Sequence, residues 1–229
     1  MFGLRNTSIF NFTLFTAVQF LVLTLIAMFI YSGGMLNDPS LEHYSFFENF
    51  FSDLGRTIGF DEESNAGPRW IFTYSLTMIG FGVAAYFLAL PTVLDTNKKA
   101  VRNASYFIRI IGLASGIGFI GVAFTPWDLM FGTHVMFVNI GFRGLLFAVL
   151  IAIYCIFKTD SFPNNYAYFL SGMCVVLFAY VLLLAFGPHP KDSYNGLVIQ
   201  AAGQKVIVYL LMIGVLFLTL GAKKSAKNI

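Results

Sequence analysis

Asp53, Asp128 and His134 are the residues of this chain best suited to acid–base work, and Lys205 and Arg143 are cations set inside long apolar runs. A carboxylate beside a histidine supports general acid–base catalysis, and Ser52, next to Asp53, adds a hydroxyl nucleophile. Other readings of these residues stand beside the catalytic one. Asp128 follows Thr125-Pro126-Trp127 near the expected start of a helix, where the helix dipole favours a carboxylate and a capping role is sufficient. His134 falls about a turn further into an apolar run, where a histidine needs a partner. Asp53 or Asp128 would supply one, and so would any hydrogen bond that packs the ring. Turn formation explains Ser52-Asp53-Leu54-Gly55 as well as chemistry does.

The deep cations are less readily explained by packing. Arg143 lies about 13 Å beyond His134 at the helical rise, and Lys205 about 12 Å inside the last apolar run. Intramembrane cations face a bundle interior, a water-filled cavity or a partner. Asn139 precedes Arg143 by one turn, and Gln200 and Gln204 share a face just above Lys205. With Ser52 and Arg56 at the rim, these residues predict a polar ligand-binding cleft descending from the outer face. A buried network that locks the bundle is the alternative. The histidines His43, His134 and His189 fall on the same side. No cofactor is expected. An open zinc site with His134 as a ligand is the lesser alternative, since HxxxH and HExxH pairs are absent. Cys155 and Cys174 read as small hydrophobes.

The elements that must position these groups are membrane helices. Of 229 residues, 58% are hydrophobic and only 11% charged, more apolar surface than a soluble domain of this size hides. Six runs of bilayer length fall at about 13–32, 68–94, 103–124, 131–157, 164–187 and 197–222. The fold class is therefore all-α, a polytopic six-helix bundle in which residues 1–229 form one membrane domain. The first run is longer than a signal-peptide core and reads as a retained helix. Pro68 and Asn103 are expected helix starts. Arg5, Lys98, Lys99, Arg102, Lys158, Lys223, Lys224 and Lys227 all fall on one side, which the positive-inside rule makes cytoplasmic. Both termini are then cytoplasmic and the acidic loop 33–67 extracytoplasmic. A net charge of +3, scattered along the chain, gives no reason to expect nucleic acid.

Within that loop Phe46, Phe47, Phe50, Phe51 and Leu54 share one helical face, opposite Glu48, Asn49, Ser52 and Arg56. This spacing predicts an amphipathic outer-loop helix over about 43–55, with Gly55 as a left-handed stop. Gly112, Ser115, Gly116 and Gly118 form a small-residue face that suits close helix packing. Membrane lipid is the expected partner, together with a homo-oligomer through such faces.

Phe51-Ser52-Asp53-Leu54-Gly55, Asn65, Phe124-Thr125-Pro126-Trp127-Asp128 with His134, and Gly203-Gln204-Lys205 together resemble the pattern of an uncharacterised prokaryotic six-helix membrane family, a domain of unknown function. The Ser-Asp-x-Gly loop and the later histidine are also similar to the DRAM-like (damage-regulated autophagy modulator) proteins. That resemblance implies six helices, a first outer loop holding the Ser-Asp-x-Gly element, and roles near lipids or membrane signalling. A looser likeness is to ceramidase-like hydrolases, whose paired histidines and seventh helix this chain lacks. The leading expectation is a lipid- or amphiphile-binding membrane protein in which Lys205 and Arg143 draw an anionic head group. A hydrolase or transferase of a lipid amide or ester is the second, and a non-catalytic scaffold the third.

Overall fold

The computed structural model describes residues 2–226; Lys227, one of the charges that set the expected orientation, lies outside them. Six α-helices follow one another: α1 Phe2–Phe29, α2 Ala66–Ala89, α3 Lys99–Phe124, α4 Trp127–Lys158, α5 Asn164–Phe186 and α6 Tyr194–Ala226. Each contains a segment long and apolar enough to cross a membrane. No strand occurs among the described residues. Each helix packs on the next, and α6 packs back on α1, so the six close into a ring. One end carries 30–65, the α3–α4 corner and 187–193. The other end is tied by Asp95 N–H to Thr159 (2.8 Å) and by Lys98 to Asp160 (3.0 Å).

The helices overrun the apolar windows at several ends. α1 begins eleven residues before position 13, and α3 begins at Lys99 rather than Asn103. Hydropathy marks the apolar stretch of a helix, while polar residues such as Asn11 and Asn103 do not interrupt the backbone ladder. Pro68 stands in the third position of α2, still inside the turn whose N–H groups have no intrahelical acceptor. α4 starts at Trp127, and its expected start near 131 coincides with a break at Met130 (φ −131°, ψ 45°). The short first turn is therefore aimed independently of the long span that follows.

The outer-loop helix over 43–55 does not form. Residues 46–48 are turns, and only Phe51–Gly55 is helical, as a 3₁₀ segment. The cause lies in where the backbone groups go. Ser45 N–H bonds to the Asn49 side chain, Phe50 N–H to the Asp53 carboxylate and Phe51 N–H to Gln204. Burial also splits the expected faces, with Phe51 and Leu54 buried as the spacing predicts but polar residues buried and a phenylalanine exposed beside them. Asn49 and Asp53 are 0% and 1% exposed, while Phe47 is 62% exposed. Gly55 is not left-handed; a Cβ there would meet the Phe72 ring at 3.0 Å. Left-handed backbone occurs at Gly34 (φ 75°), where the chain turns off α1 and a Cβ would stand 2.5 Å from that of Phe60.

The small-residue face of α3 is used inside the chain. Gly116 packs on Gly80 and Ala84 of α2, and Gly118 on the Gly141 backbone of α4. Ser115 donates to the Gly141 carbonyl at 2.8 Å. A Cβ on Gly118 would lie 2.4 Å from Gly141 N, which cannot yield, whereas Gly132 has open space around it. Gly118→Val is therefore expected to cost about 1–3 kcal/mol by overpacking. Gly132→Ala should be neutral or gain up to about 1 kcal/mol in helix propensity. Thermal unfolding of the two variants in detergent checks the contrast.

Candidate functional site

The segment 44–56 sits in the mouth of the ring, held from both sides of the chain. Tyr44 donates its hydroxyl to the Phe50 carbonyl at 2.9 Å. Asn65, just before α2, donates to the carbonyls of Asp53, Leu54 and Arg56 at 3.1–3.2 Å. Its side chain thus closes the end of the 3₁₀ turn instead of capping α2.

Asp53 is buried with three donors on its carboxylate. Asn49 Nδ2 (3.1 Å) and Phe50 N–H (2.8 Å) bond to Oδ2, and Trp127 Nε1 (3.1 Å) bonds to Oδ1. Lys205 is fully buried, and its ammonium donates to the Asn49 carbonyl and, at 3.3 Å, to that of Ala201. It also lies 5.4 Å from the Tyr44 ring centre and 5.5 Å from that of Phe46. Lys205 and Asp53 are therefore joined through Asn49. Among the described residues, ion pairs occur only between Lys98 and its neighbours Asp95 and Asp160, and between His189 and Asp192.

The other expected site residues separate into those at the mouth and those outside it. Asp128 Oδ2 accepts from the Thr57 N–H (2.9 Å) and hydroxyl (2.5 Å), joining the first turn of α4 to the loop. Arg56 stacks over Phe60 and Trp127, 3.9 and 4.6 Å from the ring centres. His134 bonds through Nδ1 to the Thr125 carbonyl at 2.6 Å. A carbonyl only accepts, so Nδ1 carries the proton and Nε2 is left as an acceptor. His134 makes no hydrogen bond to Asp53 or Asp128 among the described residues, so the three do not form one acid–base unit. Arg143 is exposed on the outward face of α4, away from the ring interior. Asn139 bonds back to Val135 of its own helix, and Gln200 to the carbonyls of Leu183 and Pro188. Periodicity did not separate these outward and loop-tying residues from the interior ones, because the helices are apolar on every side.

What descends from the mouth is an apolar cavity of about 110 Å³ at the centre of the ring. Ser52, His134 and Gln204 line it at the loop-bearing end. Gln204 accepts the Phe51 N–H at 2.8 Å and so holds the roof over it. The lining continues down α4 to Val149 and down α6 to Leu218, and includes no Asp, Glu, Lys or Arg. The fifteen residues from His134 to Val149 correspond to about 22 Å of helix. Among the described residues, no group of three or more His, Cys, Asp or Glu side chains could hold a metal ion. His189 stands 3.8 Å from Asp192 in the loop, so the histidines do not assemble around His134.

Asn49, Thr57 and Asn65 were not marked as functional from sequence, yet they bind the groups that were. The available signal was Asn49 four residues before Asp53, a helical spacing that the fold uses within a turn.

Burial raises the Asp53 pKa despite its hydrogen bonds to Asn49 and Phe50 and the nearby Arg56 and Lys205. A folded carboxyl that resists ionisation holds more protons than the unfolded one, so stability falls as pH rises from the ordinary carboxylate range through the raised value. Thermal unfolding against pH should show that slope, and Asp53→Asn should flatten it. Trp127→Phe removes one donor to the carboxylate and is expected to cost about 1–3 kcal/mol.

Comparison of the chain with protein-family models, with curated proteins and with solved structures gives no match.

Proposed function

We propose that this integral membrane protein binds a lipid or another amphiphile in its central cavity. The supporting observation is a cavity with an apolar lining along most of its length and Ser52, His134 and Gln204 at one end. Ligand sites are typically concave and mostly apolar, with a few placed polar groups that fix orientation. An apolar cavity of about 150 Å³ stays dry and takes up small apolar molecules. Here a comparable volume is drawn out along the helices, which suits a single chain.

The anionic head group expected from the deep cations has no support in this geometry. Lys205 is held by backbone carbonyls, Arg143 faces outward, and neither lines the cavity. In the proposed orientation, the end carrying Lys98, Lys99, Arg102 and Lys158 is cytoplasmic. The cavity's polar end then lies toward the extracytoplasmic face, and membrane lipid is the source of its ligand.

Ser52 and His134 lining one cavity favours a second reading, hydrolysis or transfer of a lipid amide or ester, with Ser52 as nucleophile and His134 Nε2 as base. Release of a fatty product from a long-chain ester by the purified protein, lost in Ser52→Ala, would establish it. A pure scaffold fits less well, because satisfied Asp53 and Lys205 would then sit above a filled interior.

Val149→Phe tests the binding reading. The larger side chain fills the end of the cavity away from the mouth and should reduce co-purified lipid about tenfold, a loss of about 1.4 kcal/mol in binding. Thermal stability should hold or rise. Mass spectrometry of organic extracts reads the lipid. Equal lipid in the variant and the parent would overturn the proposal.

A further inference from the structure

The donors and acceptors left at the polar end specify the ligand's head more closely than its tail. Nδ1 of His134 is committed to the Thr125 carbonyl at 2.6 Å, so its Nε2 can only accept. Oε1 of Gln204 is committed to the Phe51 N–H at 2.8 Å and its amide nitrogen is hydrogen-bonded to the Tyr180 hydroxyl, which leaves one of that nitrogen's two N–H groups to donate. The Ser52 hydroxyl has no partner among the described residues and can do either. A head that meets these groups must carry both a donor for His134 and an acceptor for Gln204.

Charge narrows the class further. No ionised side chain lines the cavity. The nearest buried charges, Lys205 and Asp53, are held by Asn49 and by surrounding donors and acceptors. A phosphate, carboxylate or ammonium head would enter an apolar enclosure without a counter-charge, at a desolvation cost that ordinary hydrogen bonds do not offset. A neutral hydroxyl meets both requirements with one oxygen.

At the opposite end of the cavity the Tyr86 hydroxyl, with no hydrogen-bond partner among the described residues, is the group that competes for a head. The Thr13 hydroxyl donates to the carbonyls of Ile9 (3.2 Å) and Gly82 (3.3 Å), and the Tyr86 ring packs edge-on against Phe10 and Phe87. Ser52, His134 and Gln204 at one end outnumber Tyr86 at the other, which favours the head toward 51–52 and the tail toward the end that holds the Asp95–Thr159 contact.

Resting on the binding reading above, we infer that the ligand is a neutral single-chain amphiphile with a hydroxyl head, a long-chain alcohol or an uncharged lipid presenting one. Its hydroxyl donates to His134 Nε2 and accepts from Gln204, and Ser52 completes the set.

The test uses the full chain in nanodiscs and four probes of equal chain length: hexadecanol, hexadecyl phosphate, hexadecyltrimethylammonium and hexadecane. Hexadecanol should bind about tenfold or more tightly than either charged probe. Ser52→Ala, whose side chain holds nothing else in place, and His134→Leu should each weaken hexadecanol up to about tenfold, the scale of one neutral hydrogen bond. The ratio of hexadecanol to hexadecane affinity should fall in each variant, which separates a lost head-group contact from a damaged cavity. Equal binding of hexadecane and hexadecanol, or preference for a charged probe, would overturn the head-group inference and leave the cavity reading standing. Failure of every probe to bind the parent chain would overturn both.

Discussion

The hydrogen bond from the Lys205 ammonium to the Asn49 carbonyl is the contact on which the mouth of the ring depends. It brings the terminal nitrogen of a residue with no exposure, eleven residues into α6, onto a hydrogen-bond acceptor. Such a nitrogen is tolerable there only with carbonyl or carboxylate partners, and leaving a buried donor unsatisfied costs about 1–3 kcal/mol, more where it is charged. The segment 44–56 supplies the partner and thereby gains the order that its short 3₁₀ turn does not provide. Asn49 serves both sides, giving its backbone oxygen to Lys205 and its side-chain nitrogen to Asp53. The two charges are bridged by an amide, a form that fixes the loop's register as well as its depth.

That roof explains why the interior below it stays open and apolar. Phe51 is held at the top by Gln204 and Asp53 by Asn65, so Ser52 between them cannot sink to fill the space. On one side α2, α3 and α4 are drawn together by glycines at near-contact distance. On the other the packing is looser: 22% of the α5 span is buried, against 61% for α2. The unfilled volume lies in the middle of the ring, lined by Leu76 and Val83 of α2, Val138 and Val149 of α4, Met173 and Cys174 of α5, and Leu211 and Val215 of α6.

The sequence carried the six spans and the grouping of Ser52, Asp53, Asp128 and Gln204 at one end, because span length and the loop assignment of charges survive folding unchanged. It did not carry the facing of individual residues. In a soluble helix a charge points to water, so periodicity reveals the buried face. In a helix whose outward side meets lipid both faces are apolar, and Arg143 and Lys205 read alike although one points out and the other in. The loop failed for a different reason. Its phenylalanine spacing fits a helix, but long-range partners on α4, α6 and at Asn65 took the backbone groups a helix would have used. No local pattern encodes partners more than 150 residues away in sequence, as Lys205 is from Asn49.

The same accounting of hydrogen bonds favours holding a ligand over cleaving one. A serine hydrolase orients its histidine with a carboxylate that also stabilises the imidazolium formed during attack. Here Nδ1 meets the Thr125 carbonyl, which fixes the tautomer but brings no charge. Of the two carboxylates nearest the mouth, Asp53 is bonded on both oxygens by Asn49, Phe50 and Trp127, while Asp128 is bonded on Oδ2 by Thr57 and its buried Oδ1, though free of a partner, makes no hydrogen bond to His134. An oxyanion would also need free backbone donors near Ser52. The Phe51 N–H is taken by Gln204 and the Asp53 N–H by the Phe50 carbonyl. The hydrogen-bonding capacity that remains, one acceptor on His134, one donor on Gln204 and the Ser52 hydroxyl, matches a neutral hydroxyl in its ground state better than the charge that develops during acyl transfer.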